Sequence, residues 1–278
     1  MKVRKLFFCM TACTASLLCS CMSDEHDFDL TPSTQTGYGS LTIGLAADAQ
    51  FSDTRALSEE SYRNTANYSV KLYNASNDNV LVECKYSEIA SYLPKKLEIG
   101  SYRIEASYGK EWPASRDQFL VTGCKTFTIR ANEDTQVNVD CTPTCGRLSV
   151  AFDASMATYF DDYNVVYGGT KAMGSSTCVW AKADTEPWYV ALDEAGETVN
   201  YTINLTAKDE YLHSSSDGSS SKEAQVTGTI QLQRNRAHKL TIAPNYKPTT
   251  DGGLSITITI DESTIDHEIT WEVPVTWI

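Results

Sequence analysis

The stretch Gly39-Ser40-Leu41-Thr42-Ile43-Gly44-Leu45 is met again as Gly146-Arg147-Leu148-Ser149-Val150-Ala151-Phe152. In both, every second residue is apolar: Leu41, Ile43 and Leu45, then Leu148, Val150 and Phe152. A period of two turns one side of an extended chain toward a core and the other toward water, so each stretch predicts a half-buried β-strand. Its recurrence about 100 residues later predicts that a whole unit, not a single strand, has been repeated.

Working outward, the rest of the unit follows in the same order. Tyr68-Ser69-Val70-Lys71-Leu72-Tyr73 is answered by Tyr163-Asn164-Val165-Val166-Tyr167, and Gly100 to Ala106 by Val199 to Leu205. Phe127 to Val139 is answered by Gly228 to Ile242, each a strand, a polar turn and another strand. A weaker third echo is Gly253-Leu254-Ser255-Ile256. Breaks fall at Asn77-Asp78-Asn79, Gly168-Gly169, Asp217-Gly218 and Asp251-Gly252-Gly253, and no long amphipathic helix separates the strands. Ser58 to Ala66 has room for a turn or two of helix, and the serine-rich 214–221 reads as a hairpin loop. The expected class is all-β: two tandem β-sandwich domains, Ig-like or transthyretin-like, over residues 39–144 and 145–278. Leu254, Ile256, Ile258 and Ile260, followed by Ile269, Trp271 and Val273, form a C-terminal hairpin or a donor-like strand.

The N-terminus sets the address. Lys2, Arg4 and Lys5 precede an apolar run from Leu6 to Leu18, too short for a membrane span of about 20 residues and of signal-peptide form. Leu18-Cys19-Ser20-Cys21 resembles a bacterial lipobox, which makes residues 1–20 the leader and Cys21 the lipidated residue. Residues 21–38 form an acidic, flexible tether containing Ser23, Asp24 and Glu25. Losing the three leader cations takes the net charge from −13 to −16, a balance that disfavours nucleic acid or an anionic membrane face as partner.

Chemistry-bearing patterns are sparse. The four histidines stand at no metal-ligand spacing, and no nucleophile elbow, zincin motif or phosphate-cradling loop is present. Neither enzymatic activity nor a cofactor is expected. Beyond the leader and Cys21 stand Cys84, Cys124, Cys141, Cys145 and Cys178. Cys141 with Cys145 and Cys84 with Cys124 are conceivable disulfides, with buried free thiols as the default. Among the aromatics, Trp112, Trp188 and Tyr189 stand at loop or strand-end positions suited to stacking on sugars.

Together, Cys21, Gly39 to Ile43, Thr54-Arg55-Ala56, Tyr68 to Leu72, Gly100-Ser101-Tyr102 and Gly146 to Val150 resemble fimbrillin-like surface lipoproteins of Bacteroidetes. The likeness is greater still to an uncharacterised lipoprotein family of gut members of that phylum. The resemblance implies a lipid-anchored outer-membrane protein displayed on the cell surface, with Ser23, Asp24 and Glu25 as export signal. It also implies cleavage between Arg55 and Ala56, departure of the strand Ser40 to Ala46, and filling of the vacated slot by a strand of another pilin-like subunit. The alternative is a glycan-binding accessory lipoprotein that uses its exposed aromatics.

Overall fold

The computed structural model describes residues 37–47, 51, 57–94, 96–211, 222–247, 253–261 and 266–272. Cys21, Ser23, Asp24, Glu25, Arg55 and Ala56 lie outside the described residues, as does the serine-rich stretch. The chain is all-β. Its first half contributes β1 (Tyr38–Ala47), β2 (Ser69–Asn74), β3 (Val80–Lys85), β4 (Leu97–Glu98), β5 (Gly100–Gly109), β6 (Ala114–Ser115), β7 (Leu120–Ile129) and β8 (Asp134–Pro143). The second half contributes β9 (Cys145–Phe152), β10 (Phe160–Tyr167), β11 (Cys178–Ala181), β12 (Trp188–Ala191), β13 (Glu197–Ala207), β14 (Glu223–Leu232) and β15 (Ala237–Lys247). A hairpin of β16 (Gly253–Asp261) and β17 (Asp266–Glu272) follows. The short helix expected near Ser58 is α1 (Leu57–Arg63), with Glu59 and Glu60 in its first turn and Arg63 in its last, as the helix dipole favours.

Strand order exposes the duplication. The first half runs β3-β2-β5-β7-β8-β1-β4, and the second has β11-β10-β13-β14 in one sheet and β17-β16-β15-β9-β12-β6 in the other. Replace each strand of the first half by its sequence counterpart, and β3-β2-β5-β7 becomes β11-β10-β13-β14 while β8-β1-β4 becomes β15-β9-β12. The first-half layers are joined because β7 meets β8 at Val121↔Pro143 and Thr122↔Thr142. The turns correspond too. Asn132 between β7 and β8 and Asn235 between β14 and β15 both have positive φ, at 58° and 54°. Asparagine is among the few non-glycine residues that enter this region readily.

The repeated opening motif begins the same strand in each copy, and that strand pairs in parallel with the last strand of its unit. β1 runs beside β8 from Ser40↔Asp134 to Ala47↔Cys141. β9 runs beside β15 from Arg147↔Ala237 to Phe152↔Ile242. Elsewhere the ladders are antiparallel.

Each half closes on its own core. Val70, Leu72 and Ile104 from one layer meet Ile43, Val137 and Val139 from the other. In the second half Val165, Trp180 and Ile203 face Leu148, Leu240, Ile242, Ile256 and Ile258. Alternation accounts for both: along β13, Val199, Tyr201, Ile203, Leu205 and Ala207 are buried and the residues between them are not. Each such aliphatic contributes roughly 1.5–3 kcal/mol over its exposed state. Residues from Thr36 onward gather into one compact unit.

Candidate functional site

β1 contains the stretch Ser40 to Ala46 that the resemblance expects to depart, and its setting is lopsided. One flank is paired with β8 along eight registered positions. The other meets β4 only at Tyr38↔Glu98 and Gly39↔Leu97. From Ser40 to Ala47 no second strand covers it among the described residues. The Tyr86 hydroxyl donates to the Ile43 carbonyl at 3.2 Å. Of the motif's apolar side chains Ile43 is buried, while Leu41 and Leu45 are half-buried against the first core. Among the described residues β1 has one long ladder and only a two-residue contact on its other flank, whereas its counterpart β9 is flanked by both β15 and β12.

Beyond β1 the chain enters the seam between the halves. Phe51 is 1% exposed, its ring edge-on to Phe119 at 5.5 Å between centroids and 5.7 Å from Tyr189. Tyr62, from α1, stacks on Phe119 at 3.8 Å, and the Phe119 N–H donates to its hydroxyl at 3.3 Å. Burial raises the Tyr62 pKa. The Tyr189 hydroxyl donates to Glu59 Oε1 at 2.7 Å, and Arg147 Nε approaches the same oxygen at 3.3 Å as an ion pair without hydrogen-bond alignment. Glu59 and Arg147 are both buried.

A second fastening lies nearby. The loop between β5 and β7 lends β6 to the other half, pairing Ala114↔Val190 and Ser115↔Tyr189. Gly109 opens that loop at φ +88°, where a Cβ would run into the Phe119 backbone. Arg116 follows: Nη1 donates to Asp184 Oδ1 at 2.8 Å and to the Glu186 carbonyl at 2.7 Å, and Nη2 to Asp184 Oδ2 at 2.5 Å and the Val179 carbonyl at 2.9 Å. Its guanidinium lies 4.6 Å from the Trp188 ring centre. A planar fork satisfied on both prongs and stacked on an aromatic is a role lysine does not fill.

The aromatics expected to contact sugar differ in exposure. Trp112 is 44% exposed, with Lys110 Nζ over its ring at 4.4 Å and its indole N–H donating to Gln118 Oε1 at 3.3 Å. Trp188 is half-buried beneath Arg116, and its indole nitrogen is buried without a partner. Tyr189 must be corrected: at 1% exposure, with its hydroxyl on Glu59, it offers no face to a ligand. The two conceivable disulfides are absent, and all five described cysteines are free. Cys84 shares the Val70–Ala106 face of its sheet, while Cys124 is registered with Glu105 two strands away, so their side chains stand on opposite sides. Burial pushes the Cys141 thiol up to about 12 and raises Cys145 further.

Sequence reasoning passed over Phe51, Glu59, Arg116, Phe119 and Arg147. The available signal was Trp188-Tyr189-Val190-Ala191-Leu192, an apolar run without alternation, which marks a strand covered on both faces. Tyr189 faces the first core and Val190 the second. A cleft of about 620 Å³ on the outer face of β2, β5, β7 and β8 is lined by Lys71, Tyr73, Glu105, Cys124, Asp140 and Arg234, among others. Among the described residues no cluster of metal-ligating side chains occurs, and no helix is long and apolar enough to cross a membrane.

The sequence profile of a domain of unknown function, DUF4493, matches residues 37–275. The chain belongs to the DUF4493 family. No curated protein matches it. Among solved structures the DUF4493 chain is similar to a fimbrial assembly protein from Parabacteroides distasonis, at 8% identity and a TM-score of 0.46 over 84% of this chain and 98% of that one. It is also similar to the tip fimbrial protein Mfa3 from Porphyromonas gingivalis, with C-terminal truncation, at 10% identity and a TM-score of 0.40 over 82% and 99%. Likeness at this level assigns the DUF4493 chain no role.

Proposed function

We propose that this chain is a non-enzymatic, lipid-anchored surface subunit that is matured by cleavage after Arg55 and then joined to another subunit by strand addition. The observation that carries the reading is the setting of β1: one parallel ladder with β8, a second flank that no strand covers beyond Gly39 among the described residues, and Arg55 in the link between its end at Ala47 and α1. Release of β1 unpairs the β8 backbone from Asp134 to Cys141 and vacates the space of Ile43. Such an edge is costly to leave open and is a template for another strand. Cys21 would hold the uncut chain to the outer membrane, and Ser23, Asp24 and Glu25 would direct it outward.

Mass spectrometry of the protein purified from its own membrane tests this. The reading expects an acylated Cys21 on the uncut form and an N-terminus at Ala56 on the assembled form, with Arg55→Ala abolishing the second. An assembled form that keeps residues 21–55 would overturn it.

Trp112 favours a second reading, glycan binding, because it is a large ring exposed beside a cation and an amide. Glycan-array binding that is lost in Trp112→Ala, with the fold intact, would select it.

A further inference from the structure

Phe51 belongs to the segment that would depart with β1, yet it is not seated where β1 is. Ile43 and Phe51 belong to the same core, but Ile43 sits among the aliphatics between the layers, whereas Phe51 sits at the edge of that core where Tyr189 of the other half meets Phe119. Its ring neighbours there come from two separate elements, Phe119 from the β6–β7 link and Tyr189 from β12, and Tyr62 from α1 backs Phe119 by stacking on it. Phe119 and Tyr189 contact each other at 4.7 Å without it, so the socket has walls of its own. The floor is fixed by the Tyr189–Glu59–Arg147 contacts, none of which involves residues before Leu57. The socket therefore stays with the body of the protein when the segment leaves.

We propose that this socket is an aromatic-selective site and that Phe51 is the second anchor of the N-terminal segment. The strand that replaces β1 is then required to carry an aromatic ring eight residues after its core-filling residue, as Phe51 follows Ile43. This rests on the reading that β1 is released. The occupant is the C-terminal segment of a second copy: Trp277 follows Ile269 at the same spacing of eight. Ile269 lies on β17, the outermost strand of its sheet, paired only with β16 among the described residues. A flat aromatic ring suits walls that already meet Phe51 edge-on and tilted.

The test uses the chain from residue 22 onward with residues 52–56 replaced by a specific protease site, so that it does not depend on natural cleavage. After nicking, release of the N-terminal segment is followed for wild type, Phe51→Ala, Phe51→Leu and Phe51→Trp. Loss of a buried ring of this kind corresponds to roughly 100- to 1,000-fold faster release in Phe51→Ala, with Phe51→Leu intermediate and Phe51→Trp retained. A synthetic peptide of residues 266–278 is expected to displace the segment, and the same peptide with Trp277→Ala to fail. Equal release from wild type and Phe51→Ala overturns the socket. Equal displacement by both peptides overturns the occupant. Phe51-dependent release combined with native protein that is never cut after Arg55 upholds the socket and removes the release reading instead. Should Phe51→Ala not fold before nicking, the Phe51→Leu to Phe51→Trp comparison decides the same question.

Discussion

The Tyr189 hydroxyl donates to the Glu59 carboxylate across 130 residues of sequence, at 2.7 Å and out of reach of water. The same carboxylate faces Arg147, so one buried acid ties α1, β9 and β12 together where the halves meet. A buried pair is a weak source of net stability, but removing one partner strands the other charge in a medium that cannot solvate it.

Glu59→Ala is therefore expected to destabilise the protein by about 3–5 kcal/mol. Glu59→Ala combined with Arg147→Met should lose markedly less, because no charge is left unpaired. Urea unfolding of the two single variants and the double variant checks this; additive losses would contradict it.

Arg116→Lys should behave as a disruptive change despite its conserved charge. Lysine keeps one cation but cannot reach Asp184, Glu186 and Val179 together or stack on Trp188. At a partly exposed site the expected loss is about 1–2 kcal/mol. Hydrogen exchange should quicken in β6, β11 and the loop around Asp184 while the distant β13–β14 ladder is unchanged.

His238 makes stability depend on pH. It is buried on β15, and burial, helped by the charge of Arg236, lowers its pKa from 6.5 to about 4. The Gln233 N–H donates to its Nε2 at 3.2 Å, which requires that nitrogen to be unprotonated. Because the unfolded chain takes up the proton first, the contribution is complete above pH 6.5 and is lost as pH falls toward about 4. Its size is roughly 3 kcal/mol. Unfolding free energies across that window should slope upward with pH, and His238→Gln should flatten the part due to this residue.

Thiol labelling should sort the cysteines by position. Cys124 is exposed and should react with maleimide in the native state, Cys84 more slowly, and Cys141, Cys145 and Cys178 only on unfolding. Burial raises the pKa of all five, with Cys178 pushed up to about 12. A mass two hydrogens short for any pair would refute the free-thiol assignment.

The alternation of Val199, Tyr201, Ile203 and Leu205 marks β13 in the sequence itself, and the repeated G-x-L motif marks the recurrence of the strand pattern. Both are local signals, carried by the period of two and by residue order. The parallel pairing of β1 with β8 was not legible. Nothing in Leu41-Thr42-Ile43 specifies which strand, about 90 residues on, will lie beside it. Tyr189 was misplaced for a related reason. Its neighbours mark a strand end, but what covers it is Phe51, Phe119 and Glu59, brought in by other elements. Arg147 occupies the position of Ser40 in the repeat and reads as solvated until the other half is laid over it.

The two opening strands are alike in sequence and unequal in setting. β9 is clasped on both flanks, by four registered pairs with β12 and six with β15, and a further hairpin backs the latter. β1 kept one ladder and a two-residue touch on its other side. On the proposed reading the repeat divides its labour: the copy opened by β9 serves as the chassis, and the copy opened by β1 carries the strand that is exchanged.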